Sequence, residues 1–308
     1  PALKWFPPQK TGLVAGLVVS GFGLASVYIA PLSQYLLRVW GIQSSMLFFG
    51  IAFLVVVCGL SMYLVNPPPG YVPQAVAPKA GQQAAAPKPQ ADAKPSELIK
   101  TGSFYIIWFI FFIGAGAGLM VIGSVAGMAQ KSMGEYAFIA VAILAIGNAG
   151  GRIIAGIISD KIGRRLTLII MLLFQAALML IAILVVGAQK ASPILVVVIA
   201  TFMGFCYGTN LSLFPSLTKD NWGLKNFGIN YGLVFTAWGV GGFVLPRIQQ
   251  MLQSKSGNYA SSFVVAALLL FVGTALTFLI KPPQPKPRPA GRTASSPSPC
   301  SARASNPS

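Results

Sequence analysis

Eight uninterrupted apolar stretches run through the 308-residue chain, each about 20 residues or longer, the length a helix needs to cross roughly 30 Å of hydrocarbon. They lie near 12–37, 44–65, 102–128, 136–158, 166–188, 193–217, 228–251 and 259–280. A transmembrane β-barrel would show alternating segments of about ten residues, and the runs from Ile106 to Phe112 and from Leu195 to Ala200 do not alternate. Apolar residues make up 55% of the chain and charged residues 9%, which leaves too little polar surface to cover a soluble globule of this size. The pattern predicts an all-α, multi-pass membrane protein whose main partner is the lipid bilayer.

A formal charge of +17 would suit nucleic acid, so the placement of the 22 basic residues decides its meaning. With a cytoplasmic N-terminus, sixteen of them, including Lys10, Lys100, Arg164, Lys219 and Lys281, fall on one side of the predicted spans. Arg38, Lys131, Lys190, Arg247 and Lys255 fall on the other. This is the positive-inside bias. It predicts cytoplasmic termini and a cytoplasmic 67–100 loop, and it explains the charge without a nucleic-acid module.

Residues 67–101 are rich in Pro, Ala, Gln and Lys and poor in large apolar residues, the composition of a disordered linker. This segment separates two helices in 1–66 from six in 102–281, and the Pro-, Ser- and Arg-rich tail 282–308 is expected to be disordered. A long middle loop between six-span halves is a common transporter layout, so two plus six read as the remains of six plus six. The chain starts at Pro1 without a cleavable signal, and its first segment reads as a loop entering a span. Cys58 and Cys206 lie inside spans and Cys300 in the tail, which implies no disulfide framework. Glycines recur inside the spans, at Gly12 and Gly16, Gly114, Gly116 and Gly118, Gly147, Gly150 and Gly151, and Gly239, Gly241 and Gly242. Such spacing lets helices approach closely in lipid.

Arg152 is the one ionisable side chain well inside a span, about 12 Å before Asp160 along the helix. A guanidinium there costs about 2.5–3.5 kcal/mol on insertion scales, so it must face the bundle interior and find a partner. Asp92, Glu97, Glu135, Asp160 and Asp220 all fall in loops or at span ends, so no carboxylate is offered at membrane depth. An anionic ligand fits, because the planar guanidinium can hold a carboxylate with two hydrogen bonds. The alternative is that Arg152 bonds carbonyl oxygens or other helices and is purely structural. Asn148, Tyr207, Asn210, Asn230, Tyr231 and Trp238 are candidates to line a cavity around it. With no histidine and no acidic residue inside a span, neither an enzyme site nor a metal site can be assembled, and no cofactor is expected.

Gly156-Ile-Ile-Ser-Asp160-Lys-Ile-Gly163-Arg164-Arg165 falls where one span ends and the next begins, and Asp160 there is placed to cap the following helix. The stretch resembles the loop signature of the major facilitator superfamily. Lys4-Trp5-Phe6-Pro7, the glycines from Gly12 to Gly23, Tyr207-Gly-Thr-Asn210, Lys225-Asn226-Phe-Gly-Ile-Asn230-Tyr231-Gly232 and Trp238-Gly-Val-Gly-Gly242 are similar to the oxalate/formate antiporter family within it. The resemblance implies a twelve-helix bundle of which eight helices are present, with the first four preceding this chain. It implies that Arg152 contacts a substrate carboxylate. A second cation of the family, a lysine, corresponds to Trp238, and of two aromatics one turn apart only the second is kept, at Tyr207 after Met203.

One cation in place of two favours a monocarboxylate such as formate, lactate or pyruvate over oxalate. The expected protein is thus a monomeric secondary transporter of a bacterial inner membrane, with Arg152, Tyr207, Trp238, Asn148, Asn210 and Tyr231 binding a small carboxylate. Gly156, Asp160, Gly163, Arg164 and Arg165 form its conformational loop motif. Coupling to a proton or to a counter-anion stays open, as do an oxalate/formate exchanger and a non-transporting sensor.

Overall fold

A computed structural model describes residues 2–7, 10–68, 71, 92–133, 137–187, 192–257 and 259–280. The elements in order are α1 (Ala2–Trp5), α2 (Thr11–Ser61), α3 (Pro95–Leu98), α4 (Gly102–Met133), α5 (Ala137–Ile162), α6 (Arg164–Gly187), α7 (Pro193–Trp222), α8 (Phe227–Ser256) and α9 (Ala260–Thr277). Eight helical segments among the described residues are long and apolar enough to cross a membrane. Two of them, Thr11–Ile29 and Pro31–Ser61, share α2, and its backbone leaves helical geometry at Gly41 (φ 69°, ψ −179°), inside the second of these and within the 38–43 break expected between the first two spans. Only glycine adopts that φ without strain. The helix runs on through Pro31, as membrane helices tolerate.

Small residues set the helix pairing. A Cβ on Gly16 of α2 would stand 2.2 Å from the Arg152 carbonyl oxygen, and one on Gly156 of α5 would stand 2.3 Å from that of Gly12. On the other side of α5, Gly147 and Gly151 meet the carbonyls of Thr201 and Phe205 on α7, while Gly204 and Gly208 of α7 meet those of Leu144 and Asn148. In lipid, where apolar burial gives no drive to association, such close backbone contact supplies the packing. Gly116 and Gly241 do the same for α4 and α8, whereas Gly150 and Gly239 face open space. The core between α4 and α7 is closed by Phe111 stacked on Phe214 at 4.1 Å.

The second half of α2 is almost wholly exposed, with Ile42, Met46, Leu47 and Phe53 among its uncovered apolar residues. A surface of that kind belongs against lipid or other apolar helices and not against water.

Three expectations need correction. The N-terminal segment is not a plain loop: α1 is a helical turn, and Trp5 donates to the Val65 carbonyl at 3.1 Å and packs on Tyr71. Asp160 and Asp220 are not loop residues, since α5 continues to Ile162 and α7 to Trp222. The end of the segment read as a disordered linker is held in place. The Asp92 carboxylate accepts from Lys225 N–H at 3.0 Å, Ala93 N–H donates to the Trp222 carbonyl at 3.1 Å, and Leu98 is fully buried. Linker residues 72–91 and the tail 281–308 lie outside the described residues.

Candidate functional site

Arg152 sits where α5 is pressed between α2 and α7, with Gly16 on one side and Gly151 on the other. Because Gly16 removes any side chain from the contact, the backbone of α2 comes within reach, and Arg152 Nη1 donates to the Val19 carbonyl. Its Nε donates to Asn148 Oδ1 at 3.0 Å, one turn back on α5. The guanidinium lies over the Phe22 ring, 5.1 Å from its centre, a favourable cation–π placement. Arg152 has no exposed surface, and among the described residues it makes no ion pair and its Nη2 has no hydrogen-bond partner. A buried charged donor left unpaired costs well over 1 kcal/mol, by about the measure for polar groups.

α7 passes beside this guanidinium: a Cβ on Gly208, the residue after Tyr207, would stand 2.7 Å from Asn148 Oδ1, which holds Arg152 Nε. Tyr207, on α7, is buried, with Gly118 of α4 leaving space beside its ring. Its hydroxyl oxygen accepts from the Trp238 indole N–H of α8 at 2.8 Å. Trp238 begins an aromatic file along α8: it stacks on Phe235 at 5.2 Å, Phe235 tilts against Tyr231 at 5.5 Å, and Tyr231 stacks on Phe227 at 5.6 Å. The structure thus brings Arg152, Asn148, Tyr207, Trp238 and Tyr231 into one region. Asn210 is turned away from it: its Nδ2 donates to the Cys206 carbonyl of its own helix at 3.1 Å, and its Oδ1 faces Gly114. Asn230 is tied to the Ala93 carbonyl at 3.1 Å. Met203 is buried in the core.

Val19 and Phe22 touch Arg152, and Phe235 touches Trp238 and Tyr231, contacts that had not been foreseen. The Gly12–Gly16 stripe was a usable signal for a nearby exposed carbonyl, while Phe22 and Phe235 carry no signal that separates them from other apolar residues of a span.

At the basic end of the bundle, the loop motif forms a second polar cluster. Gly163 takes φ 93° and allows the tight turn from α5 to α6. Asp160 does not cap α6 as expected. Its carboxylate reaches across to α2, accepting from Gly12 N–H at 3.0 Å and Leu13 N–H at 2.9 Å, because the Gly12–Gly156 contact brings that first turn alongside. Arg164 pairs with Asp160 at 2.6 Å and with Asp220 at 3.2 Å. Lys219, buried on α7, donates to the Thr11 hydroxyl, and Arg165 donates to the Phe278 carbonyl. A cleft of about 530 Å³ opens here beside Gly163, Arg164, Arg165 and Asp220, not at Arg152. It is the weaker candidate for an anion, since both carboxylates already occupy Arg164.

Arg152 is thus buried within an apolar helical bundle whose described residues include eight helices long enough to cross a membrane. The sequence model of the Major Facilitator Superfamily matches residues 2–246 and again 134–306, and the chain belongs to that superfamily, whose members are transporters and not enzymes. The chain is 25% identical to the oxalate:formate antiporter of Oxalobacter formigenes over 93% of its own length and 65% of that protein's. An uncharacterised MFS-type transporter of Escherichia coli is 27% identical over 78% of the chain and 56% of the relative. Human monocarboxylate transporter 11 is 25% identical over 88% and 56%. The chain therefore spans about two thirds or less of these relatives' lengths. Among solved structures, a variant of the E. coli fucose:proton symporter superposes with a TM-score of 0.52 at 17% identity, covering 78% of this chain and 55% of that one, a likeness of fold.

Proposed function

We propose that this chain forms the larger part of a secondary transporter of small monocarboxylates, with Arg152 as the ligand of the carboxylate. One observation carries the reading: a guanidinium with no exposed surface and no ion-pair partner among the described residues retains an unpaired Nη2, and a carboxylate is the group that would satisfy both its charge and its donor. The relatives include one that exchanges oxalate for formate and one named for monocarboxylates, which supports the substrate class.

A buried Arg152 is out of reach of any solute while α2 and α5 stay in contact. Binding therefore requires the helices to part, as alternating access between two six-helix halves does. On this reading 1–66 ends the first half and 102–281 forms the second, so the Arg152–Val19 hydrogen bond joins the halves and gives way as an anion arrives. The sixteen basic residues on one side favour placing that end in the cytoplasm. Oxalate is disfavoured because Trp238 stands where the exchanger family has its second cation. The chain has no histidine to relay protons, so exchange against a second anion and a proton site elsewhere in the full-length protein both fit this reading.

The test is ligand-induced stabilisation of the purified full-length protein by formate, lactate, pyruvate and oxalate. A monocarboxylate at about 100 times its Kd should stabilise it by about 2.7 kcal/mol, and the Arg152→Gln variant should show no such effect. Stabilisation that survives in the variant rules Arg152 out as the ligand.

A further inference from the structure

Trp238 has a role beyond lining the site. An indole N–H can only donate, so in the 2.8 Å bond between Trp238 and Tyr207 the phenol oxygen is the acceptor. The phenol's own proton is thereby directed elsewhere, and among the described residues no acceptor receives it. Tyr207 is buried, so its proton also favours finding a partner, less strongly than the charged Arg152 Nη2 does. The two unmet donors come from α7 and α5, which meet where Gly208, the residue after Tyr207, packs on Asn148, the residue that holds Arg152 Nε. On α8, Phe235 stacks on Trp238 and tilts against Tyr231, so the three rings form one apolar flank.

We infer that Trp238 is a positioning and specificity-determining residue: by occupying the Tyr207 oxygen it turns the phenol proton toward the carboxylate held by Arg152, and its ring wall receives an uncharged hydrocarbon body. This inference rests on the reading of Arg152 as the carboxylate ligand. It narrows the substrate to monocarboxylates with an apolar portion of two or more carbons. A second carboxylate would be desolvated against these apolar rings and would find an indole donor already committed to Tyr207. Formate would leave the wall unused.

The experiment measures KM and Vmax for labelled propionate in liposomes holding the full-length protein, with formate, acetate, butyrate and oxalate as competitors. The expected wild-type inhibition tightens about fourfold per added methylene, with oxalate the weakest competitor. Trp238→Phe keeps an aromatic ring but loses the N–H, and is expected to raise KM about fivefold to tenfold while Vmax stays within about twofold. Tyr207→Phe should do the same, and the double variant should be no worse than either single one, because both remove the same oriented proton. Trp238→Lys should turn the preference toward oxalate. Transport that depends on Arg152 yet has an unchanged KM in Trp238→Phe, additive single variants, or oxalate competing as well as butyrate overturns this inference and leaves the carboxylate reading intact. If propionate and all the competitors fail to engage the wild-type protein, or Arg152→Gln behaves like it, both fall together. Should Trp238→Phe fail to fold, Tyr207→Phe and the wild-type competitor series decide the matter by the same outcomes.

Discussion

Gly16 and Arg152 meet backbone to backbone: a Cβ at Gly16 would stand 2.2 Å from the Arg152 carbonyl oxygen. The glycine is what lets α2 come close enough for its Val19 carbonyl to accept from Arg152. Gly16→Val should therefore force the helices apart and cost about 1–3 kcal/mol of stability, as overpacking does. Gly21→Ala, on the same helix with nothing within 4 Å, should stay within about 0.5 kcal/mol. Thermal unfolding of the two variants in detergent checks this, and equal losses would mean that the contact at Gly16 is slack.

Gly208 supports the site from the α7 side. A Cβ there would lie 2.0 Å from the Asn148 carbonyl and 2.7 Å from Asn148 Oδ1, the atom that holds Arg152 Nε. Gly208→Ala should displace Asn148 and tilt the guanidinium, raising KM for a carboxylate about tenfold or more. Initial-rate kinetics of uptake measure the change, and an unaltered KM would show that Asn148 does not fix the arginine.

Asp160 joins three elements: its carboxylate accepts from Gly12 and Leu13 N–H of α2 and pairs with Arg164 at the start of α6. Asp160→Asn keeps the shape but removes the charge that complements the positive end of α2, for an expected loss of about 1–2 kcal/mol. Arg164→Gln added to Asp160→Asn should cost less than the two single losses combined, since each removes the same pair. Strict additivity of the unfolding midpoints would contradict the pairing.

The spans were legible because an unbroken run of about 20 apolar residues is what a membrane-crossing helix requires and what a water-facing helix avoids, and the break in α2 because the run falters around Gly41. Arg152 stood out for the same reason in reverse, as a charge where charges are costly. Its contacts did not. The Val19 carbonyl is a backbone atom that any residue would carry, and the Trp238–Tyr207 bond joins two residues 31 positions apart that were named separately. Asp160 was expected to cap α6 because that helix follows it in the chain, but the Gly12–Gly156 contact makes the start of α2 its neighbour in space. The end of the linker was hidden by composition: Pro, Ala and Lys around residues 92–100 suggest disorder, while one carboxylate, one carbonyl and the buried Leu98 are enough to fix it on the α7–α8 turn.

Uptake of labelled formate, lactate, pyruvate, propionate and oxalate into liposomes containing the full-length protein, beside its Arg152→Gln variant, tests the central claim most directly. Saturable uptake of a monocarboxylate that falls at least about tenfold in the variant is the predicted result, as expected when a charged hydrogen-bonding ligand is lost. Uptake that is equal in the two proteins would contradict the account and leave Arg152 as a structural tie between α2 and α5.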